Sequence, residues 1–239
     1  MKVGIIDSGV EVKFLREHAL GLAGGARFTL DLDAQVLETR SYDRDELEAW
    51  RDGARELDLQ DEHGHGTAVL SILYDRVRPW PDVELYVARI FDQEVRGYSL
   101  CLVEALRWML DEVGVELLNL SLGTTHRALE APMREVIDRA VARGAIIACA
   151  AGGVPTLPAQ LESVVAVGDP TLMDRVGSEV KVDHVVRERG VKLYMGGSWC
   201  EAPMTTSFAC AVAVAGVLRD GCPPGWRRKL PLPLGEGGG

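Results

Sequence analysis

The sequence predicts an α/β protein of three layers, in which a mostly parallel sheet is covered by helices on both faces. Three observations lead to this fold class. Strand-like segments alternate with helix-like segments along most of the chain. The strand-like segments are apolar at nearly every position, as strands buried on both faces are. Finally, 47% of the 239 residues are hydrophobic, which fits one large domain with a sizeable core better than two small ones.

The elements follow in chain order. The segments with the composition of buried strands are Lys2–Ile6, Leu85–Ile90, Val115–Leu120, Ala145–Ala151 and Val164–Val167. Between them, Leu100–Glu112 and Met133–Arg143 have apolar residues at helical spacing. Gly144 follows the second helix, as glycine commonly does where a helix stops. This alternation predicts successive βα units and therefore a parallel sheet.

Two segments depart from the alternation. Residues 38–62 interleave acidic and basic side chains, which predicts a charged surface insertion with some helix. Residues 222–239 are rich in proline and glycine. They cannot bury enough apolar surface to offset the entropy of ordering, so we expect a disordered tail. The folded domain is therefore expected to span residues 1–221.

Composition and charge argue against several functions. The chain has 26 basic and 36 acidic residues, a net charge of -10, and no basic stripe of the kind that binds nucleic acid. Its apolar runs are shorter than the roughly 20 residues that cross a bilayer. The segment MKVGIIDSGV lacks the charged and apolar regions of a secretory leader. We expect neither nucleic acid nor a membrane as a partner.

The cysteines indicate a reducing, cytoplasmic setting. There are five, an odd number, and none lies in a CxxC pair. Cys149 and Cys210 lie among small apolar residues, where buried free thiols are expected. Cys200 as a nucleophile is an alternative, although no partner for it is evident.

Polar or glycine-rich segments follow several of the predicted strands. Asp7 follows the first strand, Ser121-Leu122-Gly123 follows VELLN, and Gly152-Gly153 follows the strand that ends at residue 151. In an open α/β sheet, the active site lies beyond the carboxyl ends of the strands. We therefore expect these segments to meet at one edge of the sheet.

Two further candidates precede apolar helical runs. His65 lies in GHGTAVLSIL, and Ser207 lies in TTSFACAVAVAGVL. The second helix is apolar on every side, so it must be buried. Its N-terminus would direct Ser207 and free backbone N–H groups toward the carboxyl edge of the sheet, where a developing oxyanion could be stabilised.

In this order, the segments IIDSGV, GHGTAV, LNLSLG, AAGG…LPA and TTSFACA resemble the signature segments of the subtilisin-like serine peptidases. The resemblance covers residues 1–220. One such segment would be weak evidence, whereas five in the same order are specific. The resemblance implies a minimal subtilisin-like catalytic domain at residues 1–221.

The resemblance also implies roles for individual residues. Ser207 would attack the scissile carbonyl, His65 would transfer its proton to the leaving amine, and Asp7 would orient the imidazole. The Ser207 N–H, supported by Thr206, would stabilise the oxyanion together with position 153. The residues that match the two walls of the primary specificity pocket are Ser121, Leu122 and Gly123 on one side, and Ala150, Ala151 and Gly152 on the other.

Three positions depart from the family pattern. Gly153 stands where the family has the asparagine whose amide donates to the oxyanion, and in a subtilisin the loss of that donor slows the reaction by roughly 10²–10³. Thr205 replaces a glycine, and its branched side chain could narrow the site. Phe208 replaces a methionine. We therefore expect a slower or more selective enzyme than a degradative relative.

We expect no cofactor and no metal. The stretch YDRVRPWPDVE, after the histidine helix, lacks the oxygen-rich loop of a tight calcium site. We also expect no N-terminal inhibitory propeptide of the kind that secreted relatives use, because Asp7 lies close to Met1. His63 and His65 could form a metal pair, but no cluster of further ligands is evident.

Simpler interpretations exist for the single residues. Asp7 alone is typical of a turn at a strand end, and Ser207 alone could be a helix cap. For the whole set, the alternative to an active peptidase is a catalytically weak or inactive scaffold that binds a peptide without cutting it.

Size and the altered oxyanion region make the chain similar to dedicated maturation peptidases that remove a leader from one partner. An example is the accessory subtilisin-like peptidase that acts in the biogenesis of quinohemoprotein amine dehydrogenase. The implied partner is a precursor peptide or a modified small subunit, while general intracellular proteolysis is the competing role. The sequence predicts no oligomeric state.

Overall fold

The computed structural model describes residues 1–92 and 96–227. Its main sheet consists of β1 (Lys2–Asp7), β2 (Gly24–Asp31), β3 (Val36–Tyr42), β4 (Glu84–Arg89), β5 (Leu117–Leu120), β6 (Ile146–Ala150), β7 (Val165–Gly168) and β8 (His184–Val185). The strand order is β3-β2-β4-β1-β5-β6-β7-β8. Every neighbouring pair is parallel except β2 with β3. The predicted fold class is confirmed.

The remaining elements cover this sheet or lie at its edges. The helices are α1 (Val12–Glu17), α2 (Arg44–Arg51), α3 (His65–Arg76), α4 (Ser99–Arg107), α5 (Glu130–Ala142), α6 (Pro170–Met173), α7 (Thr206–Asp220) and α8 (Pro224–Arg227). A π-helical turn, Trp108–Glu112, continues α4, and a 3₁₀ turn, Arg127–Leu129, precedes α5. Separate from the main sheet, β9 (Gly190–Met195) and β10 (Ser198–Pro203) form an antiparallel hairpin.

The sheet divides the core into two layers. Val3 and Ile5 of β1 pack on one face, in the cluster that contains the apolar residues of α3, α7 and β9. Ile6 packs on the other face, against α4 and α5. Because successive side chains of a strand point to opposite faces, a strand between two layers must be apolar at both. This burial explains the apolar strands of the sequence.

Helix α7 lies beneath the sheet against α3 and is apolar on nearly every side because its neighbours surround it. Eight of its residues are buried: Phe208, Ala209, Cys210, Ala211, Ala213, Val214, Ala215 and Val217. Small side chains on this helix permit close packing against the strands. The predicted burial of this helix is confirmed.

The predicted strands are all present, with ends that differ by no more than two residues. Strands β2, β3, β8, β9 and β10 were not predicted. The segment expected to be a surface insertion at 38–62 instead begins within β3, which pairs with β2 at the edge of the main sheet. Most side chains of β3 are exposed, so it lacks the apolar composition that marks the central strands. The expected helix in this segment is α2, which begins with a capping box formed by Asp43 and Glu46.

The proline- and glycine-rich segment that begins at residue 222 includes α8, whose Trp226 is buried in the core layer of α7. The rest of that predicted tail, residues 228–239, lies outside the described residues. Within the described ranges, no helix is long and apolar enough to span a membrane.

Candidate active site

Asp7 and His65 form the best-defined contact of the site. Asp7 ends β1, the strand between β4 and β5, and its side chain is fully buried. The Oδ1 atom of Asp7 lies 2.7 Å from Nδ1 of His65 and also accepts the N–H of Ser8 at 2.8 Å. The short distance to Nδ1 favours the tautomer that keeps Nε2 free to accept a proton. The two residues therefore have the geometry of an orienting acid and a general base.

The loop before His65 is held by a residue that the sequence analysis did not select. Asp61 is buried, and its Oδ1 accepts the N–H groups of His63 at 3.1 Å and Gly64 at 2.7 Å. Its Oδ2 accepts both the N–H and the hydroxyl of Thr67, at 2.8 and 2.7 Å. An aspartate followed within three residues by glycine is typical of such a turn, and this pattern could have identified it.

Ser8 connects this loop to the end of β1. Its hydroxyl donates to Asp61 Oδ1 at 2.9 Å and accepts the N–H of Gly66 at 2.9 Å. A methyl group placed on Gly66 would lie 2.3 Å from the carbonyl oxygen of Gly9, so only glycine permits this approach. Strand β1 and helix α3 are thus fixed to each other next to the Asp7–His65 pair.

The charge of His65 depends on its surroundings. Burial disfavours the imidazolium, but the charge of Asp7, its hydrogen bond to the ring and the charge of Asp61 outweigh burial and raise the pKa above the usual 6.5. The ring of Phe208 stacks on the imidazole, with centroids 6.0 Å apart and planes inclined by 25°. An aromatic face against the ring also favours its charged form.

Ser207 lies in the first turn of α7, as predicted. The helix begins after Thr205, whose extended backbone (φ -125°, ψ 166°) is ordinary for a branched residue and whose hydroxyl accepts the N–H of Phe208 at 3.4 Å. Thr205 thus acts as the N-cap of α7. The N–H of Ser207 has no intrahelical acceptor, because it belongs to the first turn. It is available to an oxyanion.

The hydroxyl of Ser207 is directed at the candidate pocket wall. Ser207 Oγ donates to the carbonyl oxygen of Ser121 at 3.1 Å, and Ser121 Oγ donates to the carbonyl oxygen of Ser207 at 2.8 Å. Asn119 Nδ2 donates to Ser121 Oγ at 3.0 Å. In this conformation Ser207 is bonded to Ser121 rather than to His65, so the expected serine–histidine hydrogen bond is not formed.

The two candidate walls follow adjacent strands. Ser121, Leu122 and Gly123 follow β5, while Ala150, Ala151 and Gly152 end and follow β6, its parallel neighbour. Cys149 donates to the carbonyl oxygen of Leu122 at 3.2 Å, and its burial raises its pKa to about 12. Its thiol is therefore protonated and structural, as is that of Cys210, whose pKa burial also raises. Both interpretations as buried free thiols are confirmed.

Position 153 opens into a cavity beside the N-terminus of α7. The cavity has a volume of about 470 Å³, and Gly153, Arg175, Met204, Thr205 and Thr206 are among the residues that line it. A methyl group placed on Gly153 would have no neighbour within 4 Å. Gly153 brings no side-chain donor to this position, and the space beside its Cα is open.

The remaining candidates are not part of this cluster. Cys200 is exposed on β10, opposite Leu193 of the hairpin. His63 lies near His65, with ring centroids 6.3 Å apart. In the part of the chain that the structure describes, no group of three His, Cys, Asp or Glu residues could hold a metal ion.

The structure combines a mostly parallel α/β sheet with an Asp–His pair and a serine at a helix N-terminus. This combination places the chain in the class of α/β proteins with a candidate Ser-His-Asp site. The sequence profile described as the Subtilase family matches residues 1–218. The chain therefore belongs to the subtilase family, as its resemblance predicted.

The individual relatives are distant. Subtilisin NAT from Bacillus subtilis subsp. natto is 26% identical over 204 residues, which cover 76% of this chain and 45% of that protein. Subtilisin from Bacillus pumilus is 27% identical over 184 residues, which cover 70% of this chain and 56% of the relative. The chain thus spans about half the length of these curated relatives.

Among solved structures, a cold adapted subtilisin-like serine proteinase matches 91% of this chain and 73% of its own length, with a TM-score of 0.61. The two sequences are 18% identical. At this low sequence identity, the similarity shows a shared fold and nothing further.

Proposed function

We propose that this chain is a serine endopeptidase in which Asp7, His65 and Ser207 form the catalytic triad. The observation that carries the proposal is the 2.7 Å contact between Asp7 Oδ1 and His65 Nδ1, next to a helix that begins one residue before Ser207. Membership of the subtilase family supports the same role.

In the proposed mechanism, Ser207 Oγ exchanges its bond to the Ser121 carbonyl for one to His65 Nε2. His65 accepts the hydroxyl proton as Oγ attacks the scissile carbonyl, and it later donates that proton to the leaving amine. Buried Asp7 stabilises the imidazolium in between. The N–H of Ser207 and the positive end of the α7 dipole stabilise the oxyanion. Gly153 contributes no side-chain donor, so we expect slow turnover.

A fluorophosphonate probe tests this proposal. The nucleophile displaces fluoride from phosphorus, and intact mass spectrometry detects the adduct. We expect labelling of the full chain that is lost in Ser207→Ala and retained in Ser178→Ala, a change at an exposed serine. A chain that folds but takes no label between pH 6 and 10 would disprove the enzyme assignment.

We further propose that the enzyme is a dedicated maturation peptidase of the cytoplasm, which removes a leader from a precursor peptide or a modified small subunit. The missing donor at Gly153 supports a substrate-restricted enzyme, and the free cysteines support a reducing compartment. Incubation with casein and with candidate precursors discriminates the roles. Digestion of casein at the rate of the best precursor would contradict the dedicated role.

A second candidate, a weak or inactive peptide-binding scaffold, is favoured by one observation. The Ser207 hydroxyl donates to Ser121 rather than to His65. On this alternative, a peptide would bind Ser207→Ala and the unaltered chain equally and would remain uncut by both.

A further inference from the structure

Thr156 lies between the two candidate walls of the specificity pocket. A methyl group placed on Gly123 would lie 3.0 Å from Thr156 Oγ1 and 3.1 Å from its Cβ. A methyl group placed on Gly152, in the opposite wall, would lie 2.9 Å from Thr156 Cγ2 and 3.1 Å from Oγ1. Both glycines therefore face the same threonine side chain, which occupies the gap between them.

The backbone next to Thr156 is fixed to one of these walls. Thr124 and Leu157 form an antiparallel bridge, in which the Thr124 N–H donates to Leu157 at 2.8 Å and the Leu157 N–H donates to Thr124 at 2.7 Å. The Leu157 side chain is fully buried. The backbone of Thr156 is thus held next to a short, doubly bonded connection.

Among the residues that the structure describes, the Thr156 side chain makes packing contacts but no polar ones. Its Oγ1 atom is buried and has no hydrogen-bond partner among the described residues. A hydroxyl that is buried without a partner lowers stability. Its position is therefore explained by the volume that it fills rather than by a hydrogen bond that it makes.

We propose that Thr156 is the specificity-determining residue of this peptidase and forms the floor of a shallow pocket that admits glycine, alanine or serine at P1, the substrate residue before the cleaved bond. This inference rests on the proposed function, because it concerns the same site. A longer P1 side chain would have to displace Thr156, which is confined by Gly123, by Gly152 and by the bridge. Overpacking a confined site is unfavourable, and a single methylene changes selectivity by about 10- to 200-fold.

Peptidyl diphenyl phosphonates test the proposal, because they react in a single step even with a slow enzyme. Ser207 Oγ forms a bond to phosphorus as one phenoxide leaves and is released as phenol. We would use reagents with one common peptide and with alanine, valine, leucine or phenylalanine at P1. The rate of adduct formation at Ser207 is followed by intact mass spectrometry.

For the unaltered chain, we expect the labelling rate to fall about tenfold or more from alanine to leucine, and further to phenylalanine. In Thr156→Ala, which removes the hydroxyl and the methyl group, the leucine reagent should gain about tenfold relative to alanine. Thr156→Val is the matched control, because it keeps the volume and removes only the unpartnered hydroxyl. Its preference should equal that of the unaltered chain.

The outcomes separate the two proposals. Suppose that a fluorophosphonate labels Ser207, but the peptidyl series labels it equally, not at all, or fastest with phenylalanine. This result would overturn the role of Thr156 and would leave the proposed peptidase function standing. A preference for alanine that Thr156→Ala does not change would also overturn it. No labelling by either reagent class would overturn the proposed function itself.

Discussion

Ser207 and Ser121 exchange hydrogen bonds, each donating its hydroxyl to the backbone carbonyl of the other at 3.1 and 2.8 Å. The pair joins the N-terminus of α7 to the segment after β5, so it ties the candidate nucleophile to the candidate substrate-binding wall. The bond to the Ser121 carbonyl competes with activation of the nucleophile. The bond from Ser121 fixes the backbone that supplies the oxyanion donor.

Replacement of Ser121 tests the second of these bonds. Ser121→Ala removes the bond to the Ser207 carbonyl and leaves the buried Asn119 amide without its acceptor. We expect a loss of about 1–3 kcal/mol in the free energy of unfolding, measured in urea. The rate of fluorophosphonate labelling at Ser207 should also fall. Stability and labelling equal to those of Ser178→Ala would contradict this role.

The pH dependence of labelling should report the raised pKa of His65. Because neutral His65 is the base, the rate should rise with pH through a midpoint above 6.5. The same shift adds stability below the unfolded-state pKa, and this contribution is lost as pH rises through the folded-state pKa.

Asp61→Asn tests the cause of this shift. It removes one charge that raises the His65 pKa, so the midpoint should move to lower pH. Asp82→Asn, an exposed change before β4, is the control and should leave the midpoint in place. A midpoint that stays unchanged in Asp61→Asn would show that Asp61 acts on the loop geometry alone.

An asparagine introduced at position 153 should increase activity. The space around Gly153 is open, and its φ angle is outside the left-handed region that only glycine tolerates. Gly153→Asn can therefore place an amide near the oxyanion, with a gain in kcat of up to about 10²–10³, the size of the loss that removal of this donor causes in a subtilisin. Gly153→Asp has the same shape but no donor and should give no gain. An equal gain in both variants would refute the electrostatic explanation.

Thr205 should matter for stability through its cap. Thr205→Ala removes the acceptor of the Phe208 N–H and is expected to cost about 1 kcal/mol of unfolding free energy. Thr205→Ser keeps the oxygen and should remain close to the unaltered chain. Thermal unfolding of the three proteins compares them directly, and a Thr205→Ser variant as unstable as Thr205→Ala would assign the effect to the lost methyl group.

The sequence was sufficient to predict the central strands and the buried helix α7, because burial on both faces requires apolar residues throughout. It could not identify β3, whose exposed edge position permits polar side chains. Asp7 and His65 were predictable from ordered motifs. Asp61 was not selected, although an aspartate three residues before a glycine is typical of such a turn. Thr156 was not selected, because its role depends on contacts with both pocket walls, one of which is distant in the chain. The contact between Thr156 and Gly123 exists only once the two walls are folded.

The central position of β1 determines when this site can exist during synthesis. The strand that carries Asp7 lies between β4 and β5, so it does not have both neighbours until residue 120 has been made. The candidate nucleophile is produced 200 residues after the aspartate. At about 5–20 residues per second, the interval is roughly 10–40 s. The acid and the candidate nucleophile can therefore come together only after α7 has been synthesised and has docked beneath the sheet.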